Sequence, residues 1–146
     1  MNLILNLHLN LKMKLSVIVC CAMLGGTLLL PAQDMALQES MQRGKDLYAD
    51  FCITCHMENG EGVPQVFPPL AKSDYLMENL EASIRGVKYG QSGEIVVNGI
   101  TYNNMMMPLG LTDEEVADVM NYILNSWGNQ SSQVVTTEEV AAIEAD

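Results

Sequence analysis

Apolar residues between positions 37 and 51 recur at intervals of three and four: Leu37, Met41, Leu47, Tyr48 and Phe51, with Gly44 on the same face. That period predicts an amphipathic helix. A glycine inside a helix costs roughly 1 kcal/mol against alanine, so Gly44 signals close approach by another helix. From Glu58 to Leu70 the chain is rich in Gly and Pro, which predicts an ordered loop. Ser73 is a candidate cap for a helix through Lys88, with Met77, Leu80, Ile84 and Val87 facing inward and Gly90 past its end. Residues 94–102 read as extended, and Asn98-Gly99 predicts the tight turn of a small hairpin. The clearest helix follows. Thr112 with Glu115 forms a capping box, and Asp113 and Glu114 suit the positive end of the helix dipole. Val116, Val119, Met120, Ile123, Leu124 and Trp127 then keep the helical period, and Gly128 closes it. Residues 129–135 form a polar linker, and Thr137 with Glu138 and Glu139 begins a short last helix to Ala145. The pattern is all-α with a minor β-hairpin, and it contains no internal repeat.

The first thirty residues have another character. Lys12 and Lys14 precede an uncharged run from Leu15 to Leu30, followed by Pro31-Ala32. A basic region, an apolar region and a small-residue stop form the layout of an export signal. The run is 16 residues, short of the roughly 20 that a membrane-spanning helix needs. Residues 1–32 are therefore expected to be a cleaved signal, with an uncleaved anchor as the alternative. The remaining 33–129 make one domain, and 130–146 a linker and short helix.

Charge narrows the partners. Past residue 32, five basic residues (seven less Lys12 and Lys14) stand against all 18 acidic ones, a net charge of −13. Such a surface repels nucleic acid and anionic lipid and favours a partner with a basic docking patch. Any membrane contact would run through the N-terminal segment alone.

The chemistry lies in Cys52-Ile53-Thr54-Cys55-His56, the C-x-x-C-H sequence of covalent haem attachment. Cysteines three apart on one helical turn project from the same face, so both thiols reach the two vinyl groups of one haem edge. The next residue, His56, falls where its imidazole can bind the iron. A structural zinc site would need about four ligands, and past residue 32 only Cys52, Cys55 and His56 remain. A thioredoxin-like pair would want a βαβ context, which the pattern lacks. A plain disulfide would leave the adjacent histidine without a role.

No second histidine follows residue 32, so the other iron ligand must be of another type. Three methionines stand together as Met105-Met106-Met107 before Pro108, on the loop between hairpin and helix. A thioether ligand raises the reduction potential and leaves no open position for substrate. Methionines also serve as core filler, but a run of three on a loop favours ligation.

On these residues the chain resembles the class I, mitochondrial-type, bacterial cytochromes c over roughly residues 38–129. Gly44-x-x-x-Tyr48-x-x-x-Cys52-x-x-Cys55-His56 is similar to that family's N-terminal helix and attachment site. The resemblance implies one covalent haem c within crossing N- and C-terminal helices, with Gly44 packed against Tyr122. Pro68-Pro69-Leu70 resembles the family's Pro-x-Leu, which implies that the Pro68 carbonyl orients His56. The family's axial methionine commonly precedes a proline, which implies Met107, with Met105 and Met106 as substitutes. Tyr122 and Asn125-Ser126-Trp127-Gly128-Asn129 resemble the end of cytochromes that serve periplasmic dehydrogenases or accompany copper nitrite reductases. The expected function is that of a periplasmic one-electron carrier, not an enzyme. The alternatives are an electron-transfer subunit of a dehydrogenase, nitrite reductase or oxidase complex, and a haem peroxidase or gas sensor.

Overall fold

A computed structural model describes residues 29–145, with side chains from residue 33. The expected export signal lies outside the described residues apart from its last four. Among the described residues the order is α1 (Leu29–Phe51), α2 (Ile53–His56), α3 (Asp74–Glu78), α4 (Leu80–Tyr89), β1 (Ile95–Val97), β2 (Ile100–Tyr102), α5 (Asp113–Leu124) and α6 (Thr137–Ala142). β1 and β2 form the antiparallel hairpin expected at Asn98-Gly99, with Val97 paired to Ile100. The chain from Leu37 onward is one compact unit. Among the described residues, no helix is long and apolar enough to cross a membrane.

α5 is the centre of this unit. Its N-terminus carries the capping box, with Thr112 Oγ1 accepting from the Glu115 amide and the Glu115 carboxylate accepting from the Thr112 amide at 2.8 Å. Eight of its residues are buried, including Asp118 and Asn121. Burial extends beyond one stripe because α1 crosses one side while α4 and α6 pack on others. Gly44 allows the crossing: a Cβ there would overlap the Asp118 carbonyl and stand 2.9 Å from Tyr122 Cβ. Tyr48 flanks the contact, with ring centroids 5.6 Å from Tyr122 and 4.8 Å from Trp127. Offset and edge-on aromatic pairs at such spacings add to simple burial.

A polar seam runs through the same crossing. The Asp118 carboxylate accepts from Ser40 Oγ at 2.6 Å and from Arg43 Nε and Nη2 at 2.6 and 2.8 Å. Asn121 donates to Ser40 Oγ and to the Val135 carbonyl, both at 2.9 Å, and accepts from the Val135 amide at 2.8 Å. Every buried polar side chain among the described residues has a partner, which is what makes a carboxylate tolerable in this interior.

Three boundaries differ from expectation. The helix expected from Ser73 to Lys88 is two helices, broken at Asn79 (φ −124°, ψ 55°). The break shifts the helical phase, which leaves Met77 outside the core at 39% exposure. α5 ends at Leu124 rather than Trp127, because Asn125 and Ser126 side chains donate to the Asn121 and Tyr122 carbonyls at 3.0 and 2.6 Å and take over its last acceptors. The polar stretch after it is anchored: Asn129 is buried, donates to the Leu70 and Ile123 carbonyls and accepts from the Lys72 amide. The last helix starts at Thr137 as expected and stops at Ala142, with Val140 fully buried.

Gly44→Ala should therefore destabilise the protein by about 2 kcal/mol, the scale of overpacking a tight core. Denaturant unfolding of both forms checks it; an unchanged midpoint would mean that the crossing is not tight.

Candidate functional site

Cys52 follows α1 without leaving right-handed helical backbone (φ −112°, ψ −32°), and α2 is the single turn after it. The Cys52 amide donates to the Tyr48 carbonyl and the His56 amide to the Cys52 carbonyl, both at 2.9 Å. The near-continuous helical path brings Cys52, Cys55 and His56 to the border of one cavity of about 380 Å³, within the roughly 300–1,000 Å³ of small-molecule and cofactor sites. Neither cysteine is in a disulfide.

The loop after His56 folds back to hold it. Leu70 and Ala71 amides donate to the Gly60 carbonyl at 2.7 and 2.9 Å. Gly60 has φ +66°, and a Cβ there would collide with the Trp127 ring. This closure sets Pro68 beside the histidine: His56 Nδ1 lies 2.9 Å from the Pro68 carbonyl oxygen. A carbonyl only accepts, so Nδ1 carries the proton and Nε2 keeps the lone pair that binds a metal. Burial pushes the His56 pKa below its ordinary value, with the Pro68 hydrogen bond pulling partly the other way. The imidazole is thus neutral near pH 7, as a ligand must be. Burial, with Cys55 as the lesser cause, pushes the Cys52 thiol up to about 11. A thiol held protonated is the reverse of the lowered pKa of a redox-active dithiol.

The rest of the lining is apolar or neutral. α3 supplies Leu76, α4 Gly86 and Val87, and α5 Val119, Met120 and Ile123. Among the described lining residues there is no Asp, Glu, Lys or Arg, although the chain holds 25 such residues in all (7 basic and 18 acidic).

All three consecutive methionines border the cavity, but they are not equivalent. Met105 is 69% and Met107 63% exposed, while Met106 between them is half-buried. The cause is an extended backbone: Met106 pairs with Gln91 through hydrogen bonds of 2.9 and 2.8 Å, so neighbouring side chains alternate. Gly90 makes the seat, and Gly86 borders it. Gly90 has φ +88°, and a Cβ there would come within 2.7 Å of the Met106 carbonyl oxygen. A Cβ on Gly86 would stand 3.9 Å from Met106 Cε. Gly86, Gly90 and Gln91 were not singled out from the sequence as site residues; the four-residue spacing of two glycines at a helix end was the available signal.

Two thiols on one helical path, an imidazole with a single free nitrogen, a thioether bordering the same cavity and uncharged walls fit a covalently held haem. Fold and site together define a haem-bearing electron-transfer protein. The Cytochrome c family model matches residues 41–127, more than half of the chain, and the chain belongs to the cytochrome c family. It is 38% identical over 113 residues to cytochrome c-552 of Thermus thermophilus, covering 70% of this chain and 84% of that one. It is 32% identical over 104 residues to the cytochrome c subunit of a quinone alcohol dehydrogenase from Gluconacetobacter polyoxogenes, and 30% identical over 111 residues to the gluconate 2-dehydrogenase cytochrome c subunit of Pantoea cypripedii. The matches cover 68% and 74% of this chain but only 22% and 25% of those subunits.

The haem-loaded chain should keep its colour and added mass through denaturation and acid extraction, whereas a Cys52→Ser/Cys55→Ser double variant should release haem. Mass spectrometry of the extracted chains decides it; haem retained by the double variant would contradict thioether attachment.

Proposed function

We propose that this chain is a periplasmic one-electron carrier with a single haem, bound through Cys52 and Cys55 and ligated by His56 Nε2 and by Met106 in place of the expected Met107. The observation that carries the reading is the alternation at Met105–Met107: Met106 is the half-buried member and its neighbours are mostly exposed. The bound haem supplies a one-electron couple. The protein's part needs no acid, base or nucleophile. Pro68 fixes the tautomer and ring plane of His56. With haem bound, the thioether of Met106 would supply the second iron ligand and raise the potential, and the uncharged walls would disfavour the more highly charged ferric form. With His56 and Met106 both on the iron, no place would remain for a peroxide or gas ligand.

Export is supported by the basic, apolar and small-residue order of residues 1–32, with the cytochrome domain in 33–129 and a C-terminal extension in 130–146. The net charge of −13 past residue 32 supports a redox protein partner with a basic docking surface, and it disfavours nucleic acid. A second reading, a carrier held within a dehydrogenase complex, draws on the similarity to dehydrogenase cytochrome c subunits.

Met106→Ala should abolish the weak far-red absorption of Met-ligated ferric haem and admit carbon monoxide to the reduced protein; Met107→Ala should do neither. The reverse pattern would assign the ligand to Met107. With its physiological partner, electron transfer should slow as salt rises, since charge steering is screened over about 8 Å at 0.15 M. A rate independent of ionic strength would remove the basic patch from the account.

A further inference from the structure

The match to the cytochrome c family ends at residue 127, yet the segment beyond it is fastened to the wall of the cavity. Val135 and Val140 of this strap are buried. Side chains of α4 and α5 hold its backbone: Asn121 grips Val135 from α5, while from α4 Tyr89 Oη donates to the Ile143 carbonyl at 3.0 Å and Arg85 Nε to the Glu144 carbonyl at 3.1 Å. α4 therefore faces two ways. Its outer side carries the strap, and Gly86 and Val87 border the cavity.

Lys88 is where these parts meet. Its Nζ donates to the Val140 carbonyl at 2.8 Å and the Ile143 carbonyl at 3.4 Å, and it pairs with Asp113 Oδ1 at 2.9 Å. The side chain is only 13% exposed. Those two carbonyls lie at the end of α6, where the Val140 carbonyl also accepts from the Ile143 amide at 3.2 Å and the dipole favours a cation. Lys88 thus joins the last turn of α4, the first turn of α5 and the end of α6. Two and three residues further on are Gly90 and Gln91, on which Met106 is seated.

We propose that Lys88 is a positioning residue for the sixth iron ligand: by clamping the strap and Asp113 to the last turn of α4, it holds the Gly90–Gln91 seat of Met106. The inference rests on Met106 being that ligand. Lys88 acts through Met106 and touches no cofactor. Without the clamp the last turn of α4 frays, and both Gln91–Met106 hydrogen bonds move with it. The attachment motif and the Gly44 crossing lie on other elements and are untouched.

The test is imidazole titration of the ferric, haem-loaded full chain, following loss of the far-red band. Imidazole competes with the thioether, so its apparent affinity reads how firmly Met106 is held. Lys88→Met should bind imidazole about tenfold more tightly than the parent, the scale of one charge-assisted hydrogen bond. Lys88→Arg should restore parental affinity, and Tyr89→Phe, a milder change to the same clamp, should shift it in the same direction as Lys88→Met. A purely structural lysine would lower the melting temperature and leave imidazole affinity unchanged in both Lys88→Met and Tyr89→Phe, which would overturn the inference. A parent that lacks the band, or loses it in Met107→Ala rather than Met106→Ala, would overturn the ligand reading and this inference with it.

Discussion

The close crossing of α1 and α5 at Gly44 is the contact on which the rest depends. With no Cβ on Gly44, the backbone of α1 lies against the Asp118 carbonyl, and this fixes where α1 ends. Its end is the attachment motif, so the crossing decides where Cys52, Cys55 and His56 stand relative to the cavity wall of Val119, Met120 and Ile123. The polar seam of Ser40, Arg43, Asp118 and Asn121 makes the crossing directional, since only one register brings Arg43 and Ser40 together onto the two oxygens of one carboxylate. The burial of α5 on several sides follows from the same arrangement.

From that crossing the two sides of the site are built by different means. The histidine side is local: one helical turn carries both thiols and the imidazole, and a loop closed through Gly60 returns Pro68 to the ring. The methionine side is assembled from pieces distant in sequence, namely the end of α4, the strand at Met106 and the C-terminal strap. A local device tolerates change elsewhere in the chain. A seat made of three elements is exposed to any loosening among them, and this is the ground for proposing that the strap, though outside the cavity, helps to position Met106.

The two sides also differ in how much the sequence revealed. Cys52-x-x-Cys55-His56 is contiguous, so spacing alone carried the covalent haem, and Gly44 inside an apolar helical stripe already signalled the crossing. The capping box at Thr112 and the turn at Asn98-Gly99 are likewise local rules, and both elements stand where those rules put them. The long-range features were less legible. That Met106 is less exposed than Met107 follows from pairing with Gln91, 15 positions earlier, and a preceding proline carries no information about that burial. The break at Asn79 overrides a smooth apolar period, and it is satisfied by hydrogen bonds within two short helices. Asn129, expected in a polar linker, is buried, as is Asn121, because each binds the backbone of a segment elsewhere in the chain.

The proposed carrier holds one haem whose two axial positions would both be filled by the protein. A potentiometric titration of the haem-loaded chain, followed through the reduced absorption bands, tests that most directly. It should give one reversible wave with a slope of about 59 mV per tenfold change in the oxidised-to-reduced ratio, as for any one-electron couple. Two waves, or a couple that shifts when carbon monoxide is added, would contradict a single haem closed on both sides.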